Sequence, residues 1–180
     1  PAFPTRRSSD LAMALAQIAG ATAEEIKTAM ASFGGVDRRF DFKIKNDHLA
    51  FLSDYAHHPE EIRKSITSLK ALYPDRKITA VFQPHLYTRT RDFYKEFAES
   101  LSLLDEVILL DIYPARELPI PGVTSRLIYD NLRPDMEKTL CTKEELLDLL
   151  KKKHLEVLVT LGAGDIDNFV PQIYEMLKDR

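Results

Sequence analysis

The sequence predicts an α/β protein built on a doubly wound, mostly parallel sheet. Apolar runs of strand length alternate with amphipathic helical segments at the spacing of βαβ units. Four of those runs end in polar stretches rich in reactive side chains, and open α/β sheets bind ligands outside the carboxyl ends of their strands. Size agrees. With 180 residues, 44% of them hydrophobic, the chain can bury one well-packed core and part of another domain.

Residues 1–10 are expected to be a non-native or disordered tail, because Phe3-Pro4-Thr5-Arg6-Arg7-Ser8-Ser9-Asp10-Leu11 reads like a translated frame of a short-read sequencing adapter. An export signal is rejected: Asp10 and Gln17 interrupt the apolar run, which continues at helical spacing into Ile26, Met30 and Phe33. Residues 11–35 predict a helical hairpin. Leu11, Leu15, Ile18 and Ala19 share one face, Gly20 stops the first helix, and Thr22 with Glu25 has the spacing of a capping box. Residues 36–42, with Arg38 and Arg39, read as a linker, and residues 43–180 as the main domain.

In that domain, strands are expected at Leu49–Ser53, Ile78–Phe82, Val107–Ile112 and Val157–Leu161, with a weaker one near Lys138–Cys141. Helices are expected at Pro59–Leu72, Thr90–Leu104, Val123–Leu132, Lys143–Lys152 and Asp165–Leu177. An antiparallel edge strand at Phe42–Lys45 would turn back into the first strand across Asn46-Asp47. These pieces describe a Rossmann-like arrangement.

A net charge of -3 describes neither a nucleic-acid coat nor a membrane-surface protein. The single cysteine, Cys141, leaves no intramolecular disulfide framework, fits a reducing compartment, and reads as a small buried apolar residue. No stretch approaches a membrane span in length.

Two loops concentrate the chemistry: Ser53 to Pro59, and Gln83 to Arg91. Asp54, at a strand end, can hold the hydroxyls of a ribose, or cap a helix or pair with a cation. His57 and His58 precede Pro59, a residue suited to the first turn of a helix, so the positive helix end favours neutral, hydrogen-bonding imidazoles. One of the two, His58, would only pack or cap. Thr88 is a candidate cap for the following helix, placing Arg89 and Arg91 in its first turn, where an anion would offset their unfavourable position on the helix dipole. Arg89 is the candidate for gripping a carboxylate or phosphate; Arg91 would pair with Asp92 or Glu96. Asp54, His57 and His85 could together supply zinc ligands, but their spacing carries no metal signature, and no metal residue is assigned. Gly162-Ala163-Gly164 can admit a phosphate or simply make a tight turn.

Four ordered motifs then carry a resemblance. They are Gly35-Val36-Asp37-Arg38-Arg39-Phe40; Asp54-Tyr55-Ala56-His57-His58-Pro59-Glu60-Glu61-Ile62; Phe82-Gln83-Pro84-His85 with Tyr87-Thr88-Arg89-Thr90; and Asp111-Ile112-Tyr113 with Pro119-Ile120-Pro121-Gly122-Val123. Together they resemble the Mur ligase family, from about Leu11 to the end of the chain. The resemblance implies the carboxyl-terminal domain of a three-domain cytoplasmic enzyme of peptidoglycan synthesis, preceded by the last helices of its central ATPase domain. The implied activity joins L-alanine to UDP-N-acetylmuramate at the expense of ATP, with Mg2+ held by a central domain that this fragment largely lacks. By resemblance, Tyr55, His57, His85 and Arg89 would bind L-alanine; Asp54 would meet the ribose of ATP, and Arg38 or Arg39 its phosphates. The fragment alone should not catalyse the reaction.

Two departures stand out. Leu86 occupies a position where relatives often carry arginine, and Arg116 one where glycine is frequent. Two other readings stay open: a ligase that recycles murein tripeptide, and a non-catalytic module that binds nucleotide or amino acid.

Overall fold

The structure, a computed structural model, describes residues 6–179. The chain divides into two compact units at Val36/Asp37.

The first unit is the expected hairpin. Helix α1 (Arg6–Ile18) begins five residues before Leu11, so the expected tail lies partly in a helix; residues 1–5 lie outside the described residues. Gly20 takes φ +97°, a left-handed conformation that ends the helix at little steric cost. Helix α2 (Ala23–Ser32) opens with the capping box: the Glu25 amide donates to Thr22 Oγ1 at 3.3 Å, and the Thr22 amide donates back to Glu25 Oε2 at 2.8 Å. The apolar face of α1 is exposed at Leu11, Leu15 and Ile18.

The second unit is a six-stranded sheet: β1 (Asp41–Lys45), β2 (Ala50–Asp54), β3 (Ile78–Phe82), β4 (Glu106–Leu109), β5 (Glu137–Leu140) and β6 (Val157–Leu161). Their order is β1-β2-β6-β3-β4-β5. Of these six strands only β1 is antiparallel; it pairs with β2 from Asp41↔Ser53 to Lys45↔Ala50, with a register shift between Phe42 and Ile44, across a turn held by the Asn46 side chain. The last strand, β6, sits between β2 and β3 and pairs in parallel with both. All residues of β3 and β6 are buried, as expected of strands covered on both faces.

Helices α3 (Pro59–Leu72), α4 (Tyr87–Leu101) and α5 (Arg126–Asn131) cover one face through Ile62, Ile66, Leu69, Phe97, Leu101 and Ile128. On the other face lie α6 (Lys143–Lys151) and α7 (Val170–Leu177), anchored by Leu146, Leu150, Ile173 and Leu177. This is a Rossmann-like α/β fold. Of residues 36–42, read as a linker, all but Val36 fall in this unit: β1 starts at Asp41, and the Tyr55 amide donates to the Arg38 carbonyl at 2.6 Å. Strand β4 stops at Leu109, short of the expected Ile112. Beyond it the chain leaves regular pairing but still follows the segment after β3, through Leu110 N to Phe82 O at 2.9 Å and Tyr113 N to Pro84 O at 2.8 Å.

Cys141 is buried, and burial, reinforced by Glu145, Asp111 and Glu144, pushes its thiol up to about 11. That suits the inert apolar role. At the amino ends of the strands, Glu106 is buried between Lys77 (3.1 Å) and Lys153, with Thr79 Oγ1 donating to it at 3.1 Å. Burial raises its pKa, but the two ammonium groups more than offset this and leave it below its ordinary 4.5. A depressed acid contributes stability above its unfolded value and loses it as pH falls through the folded one. Glu106→Ala should therefore cost about 2 kcal/mol at neutral pH by removing the buried carboxylate that both lysines share, while Lys77 keeps its bond to Glu137 at 2.7 Å. In chemical denaturation, the deficit should shrink below pH 4.5.

Candidate functional site

The carboxyl ends of β2, β3, β4 and β6 form one rim. The Gly162 amide donates to the Asp54 carbonyl at 3.2 Å and the Gln83 amide to the Leu161 carbonyl at 3.0 Å, so the loops after β2, β6 and β3 lie side by side. Gly162 and Gly164 are required by close packing. A Cβ on Gly162 would stand 2.9 Å from the Gln83 carbonyl oxygen, and one on Gly164 would stand 2.4 Å from Gln83 Oε1 and 2.8 Å from Tyr113 Cβ. Gln83 itself is fully buried. It accepts from the Ile166 amide at 2.9 Å and donates to Asp165 at 2.7 Å, and Asp165 also holds Lys143 at 2.6 Å. The glycine turn thus serves packing through Gln83.

Along the rim runs a row of rings. Tyr55 meets His57 at 5.2 Å, His57 meets His85 at 6.0 Å, and His85 meets Tyr113 at 5.6 Å between centroids. Arg89 closes the row, its Nη1 lying 3.4 Å from His85 Nδ1. The structure therefore brings together Tyr55, His57, His85 and Arg89. Burial, then the Arg89 and His57 charges, hold the His85 pKa below its ordinary value, with Glu117 opposing them weakly. That direction favours the uncharged imidazole.

His58 takes the cap position of α3. Its amide donates to Glu61 Oε2 at 3.2 Å and its ring rests on Phe93 at 5.3 Å, the packing role expected of one member of the pair. The same Glu61 oxygen accepts from the His57 amide at 3.1 Å. Thr88, expected as a cap, instead lies inside the first turn of α4, and the residue before the helix is Leu86. The capping acid comes from afar: Glu117 accepts from the Thr88 amide at 2.9 Å and from its hydroxyl at 2.5 Å. Those bonds hold the Glu117 carboxyl below its ordinary pKa. The anion expected at this helix end is thus in part a residue of the chain. Arg91 pairs with Asp92 at 2.7 Å, as its structural reading required.

Asp54 is half-buried and accepts from the Ala56 amide at 3.3 Å. Burial pushes its carboxyl above the ordinary value, against the pull of the Ser65 hydroxyl and the Ala56 and Phe40 amides. Arg38 and Arg39 part company. The Arg38 guanidinium lies 4.8 Å from the Tyr55 ring centre, and its Nε is 2.9 Å from Asp167 Oδ1 without the alignment of a hydrogen bond. Arg39 is exposed, 5.9 Å from the same ring.

Backbone strain concentrates at this edge. Arg38 (φ 60°), Phe40 (φ 50°), Leu86 (φ 74°) and Ala115 (φ 50°) are left-handed without being glycine, at about 1–3 kcal/mol each. In the loop after β4, the left-handed residue is Ala115 rather than Arg116, inside a turn closed by Glu117 N to Pro114 O at 2.9 Å.

Tyr113 and Glu117 were not singled out from the sequence, although Tyr113 belongs to one of the four motifs. The signal that could have found them is the extension of the β4 run past Leu109 toward the β3 loop. Among the described residues, no group of three or more His, Cys, Asp or Glu side chains could hold a metal ion, so Asp54, His57 and His85 do not form one. No helix among them is long and apolar enough to cross a membrane.

The sheet order and the ring row define an α/β domain with a polar rim at its strand ends. Residues 38–164 match the family described as Mur ligase, glutamate ligase domain, and the chain belongs to that family. Over 94% of its length it is 75% identical to the UDP-N-acetylmuramate--L-alanine ligase of Phocaeicola vulgatus, of which it covers 37%. It is 57% identical to the ligase of that name from Parabacteroides distasonis, over 92% of this chain and 36% of that one. Among solved structures, the UDP-N-acetylmuramate-alanine ligase of Thermotoga maritima superposes with a TM-score of 0.80 at 26% identity, covering 99% of this chain and 39% of its own. The chain thus spans less than two fifths of the length of these relatives.

Proposed function

We propose that this chain supplies the carboxyl-terminal, amino-acid-binding domain of a cytoplasmic, ATP-dependent ligase that joins L-alanine to UDP-N-acetylmuramate in peptidoglycan synthesis. The observation that carries this reading is the unbroken row from Tyr55 through His57 and His85 to Arg89. A guanidinium and two neutral-capable imidazoles side by side suit a small zwitterion, whose carboxylate needs a fixed cation and whose amine needs an acceptor. The names of the relatives at 75% and 57% identity support the same choice of substrates.

In this reading, Arg89 grips the alanine carboxylate, while Tyr55 and His57 stand at its amine end. Asp54, a half-buried acid at a strand end, accepts the ribose hydroxyls of ATP, and Arg39, the more exposed of the arginine pair, reaches its phosphates. Arg38 holds the loops together through Tyr55 and Asp167. The hairpin of α1 and α2 belongs to the end of the central ATPase domain, and Mg2+ is held in that domain rather than by this chain. The acyl phosphate formed on the sugar's carboxylate is vulnerable to water, so closure of this domain over it would both assemble the site and exclude solvent.

The test is a ligation assay on the complete protein that carries this chain. Phosphate release and UDP-N-acetylmuramoyl-L-alanine should form only when ATP, the UDP-sugar and L-alanine are all present. Turnover with a murein tripeptide in place of alanine would assign the recycling activity instead. Nucleotide or amino-acid binding with no product from either acceptor would leave only a binding module.

A further inference from the structure

The two imidazoles of the row are held by partners of opposite hydrogen-bonding character. His57 Nδ1 lies 2.9 Å from the Tyr55 carbonyl oxygen and 3.5 Å from Glu61 Oε2. Both neighbours only accept, so Nδ1 must carry the proton and Nε2 is left bare in the neutral ring. His85 shows the reverse. Its Nδ1 faces Arg89 Nη1 at 3.4 Å, and a guanidinium only donates, so Nδ1 must be the acceptor and the proton sits on Nε2. The ring centroids are 6.0 Å apart, close enough for one small ligand to meet both.

We propose that His57 and His85 are locked in opposite tautomers, so that the rim offers a bare nitrogen, His57 Nε2, to the ammonium group of an α-amino acid. An N–H, His85 Nε2, is offered with Arg89 to its carboxylate. Resting on the ligase reading above, His57 is then the group that takes the amine's proton. The bound ammonium gives one proton to His57 Nε2, which frees the nitrogen lone pair. That pair forms the bond to the acyl carbon while the carbon–oxygen bond to phosphate breaks, and phosphate leaves with the bonding electrons. The second amine proton passes to the departing phosphate, and His57 later returns its own to water.

Glu61 is a positioning residue in this scheme. Its carboxylate faces Nδ1 and so steadies the imidazolium, while its bonds to the His57 and His58 amides hold it in place. The titratable and charged groups around His57 are Tyr55, His58 and Glu61 from its own segment and His85, backed by Arg89 and more distantly Glu117, from the neighbouring loops.

Nitrogen-15 NMR of the imidazoles in the chain tests the lock without any ligand, with His57→Gln and His85→Gln supplying the assignments. At about pH 7, His57 should show a protonated Nδ1 and a bare Nε2, and His85 the opposite. Either ring in the other tautomer would overturn the proposal. The second arm follows amide formation in single turnovers of the complete enzyme. His57→Gln should slow that step about 100-fold or more, with alanine binding altered less than about threefold. The deficit should narrow as pH rises and more of the amine is already neutral. Weakened alanine binding with an unchanged rate would reduce His57 to a binding group and overturn the proton transfer. If the wild-type enzyme forms no amide at all, the ligase reading fails, while the NMR arm still decides the tautomers.

Discussion

Under the proposed function, replacing Arg89 by alanine in the complete enzyme is expected to raise the KM for L-alanine about 50-fold while changing the KM for UDP-N-acetylmuramate by less than about twofold. The asymmetry follows from where the guanidinium stands. Arg89 belongs to the first turn of α4 and reaches His85 at 3.4 Å, at the end of the ring row. The neighbouring anionic partner on that helix end, Glu117, is engaged by Thr88. Leu86, the residue just before the helix, offers no second cation, so the loss should be steep. Arg89→Lys should recover part of it, since a single ammonium can hold one carboxylate oxygen but not the forked pair. Steady-state kinetics with each substrate varied in turn would check this. Equal losses for both substrates would remove Arg89 from the alanine site.

Gly164→Ala is expected to lower the melting temperature of the chain by about 5 °C, read by circular dichroism. A methyl group there would stand 2.4 Å from Gln83 Oε1 and 2.8 Å from Tyr113. The space cannot be made cheaply. Gln83 is fully buried and its amide is committed to Ile166 and Asp165, while Tyr113 is pinned on both sides by backbone bonds to Pro84 and Leu86. If Gln83 gives way, a buried amide is left short of a partner; if Tyr113 does, its backbone bonds to Pro84 and Leu86 are disturbed. Gly34→Ala is the control: a methyl group there meets nothing within 4 Å, and the change should be within about 0.5 kcal/mol. A Gly164→Ala protein as stable as the wild type would mean that the turn rearranges freely.

Much of this was legible in the sequence because it is local. The strands Ile78–Phe82 and Val157–Leu161 and the helix Pro59–Leu72 fall where periodicity puts them, and Thr22–Glu25 forms the capping box its spacing announces. The ring row was half legible: Tyr55, His57, His85 and Arg89 stand out in two short loops. What escaped depends on contacts between distant segments. Glu117 caps a helix that begins thirty residues earlier, which defeats the local expectation for Thr88. Tyr113 becomes a wall of the site only because the chain after β4 trails the β3 loop. Arg38 meets Asp167 across most of the domain's length, and no spacing rule reaches that far. Strand order is the same kind of fact, since a parallel strand's neighbours are set by packing rather than by its own residues.

The position of β6 has a consequence for how the domain is made. Strands β2 and β3 do not pair with each other; each pairs with β6, and Asp54 and Phe82 share the single partner Leu161. A ribosome therefore releases β1-β2 and β3-β4-β5 before the strand that joins them, and β2 and β3 must each keep one open side waiting until residues 157–161 emerge. Folding should be late and cooperative, dominated by long-range closure rather than by growth from the amino end. A premature stop before Val157 would not trim this domain but leave it without its keystone, with one side each of β2 and β3 open to aggregation.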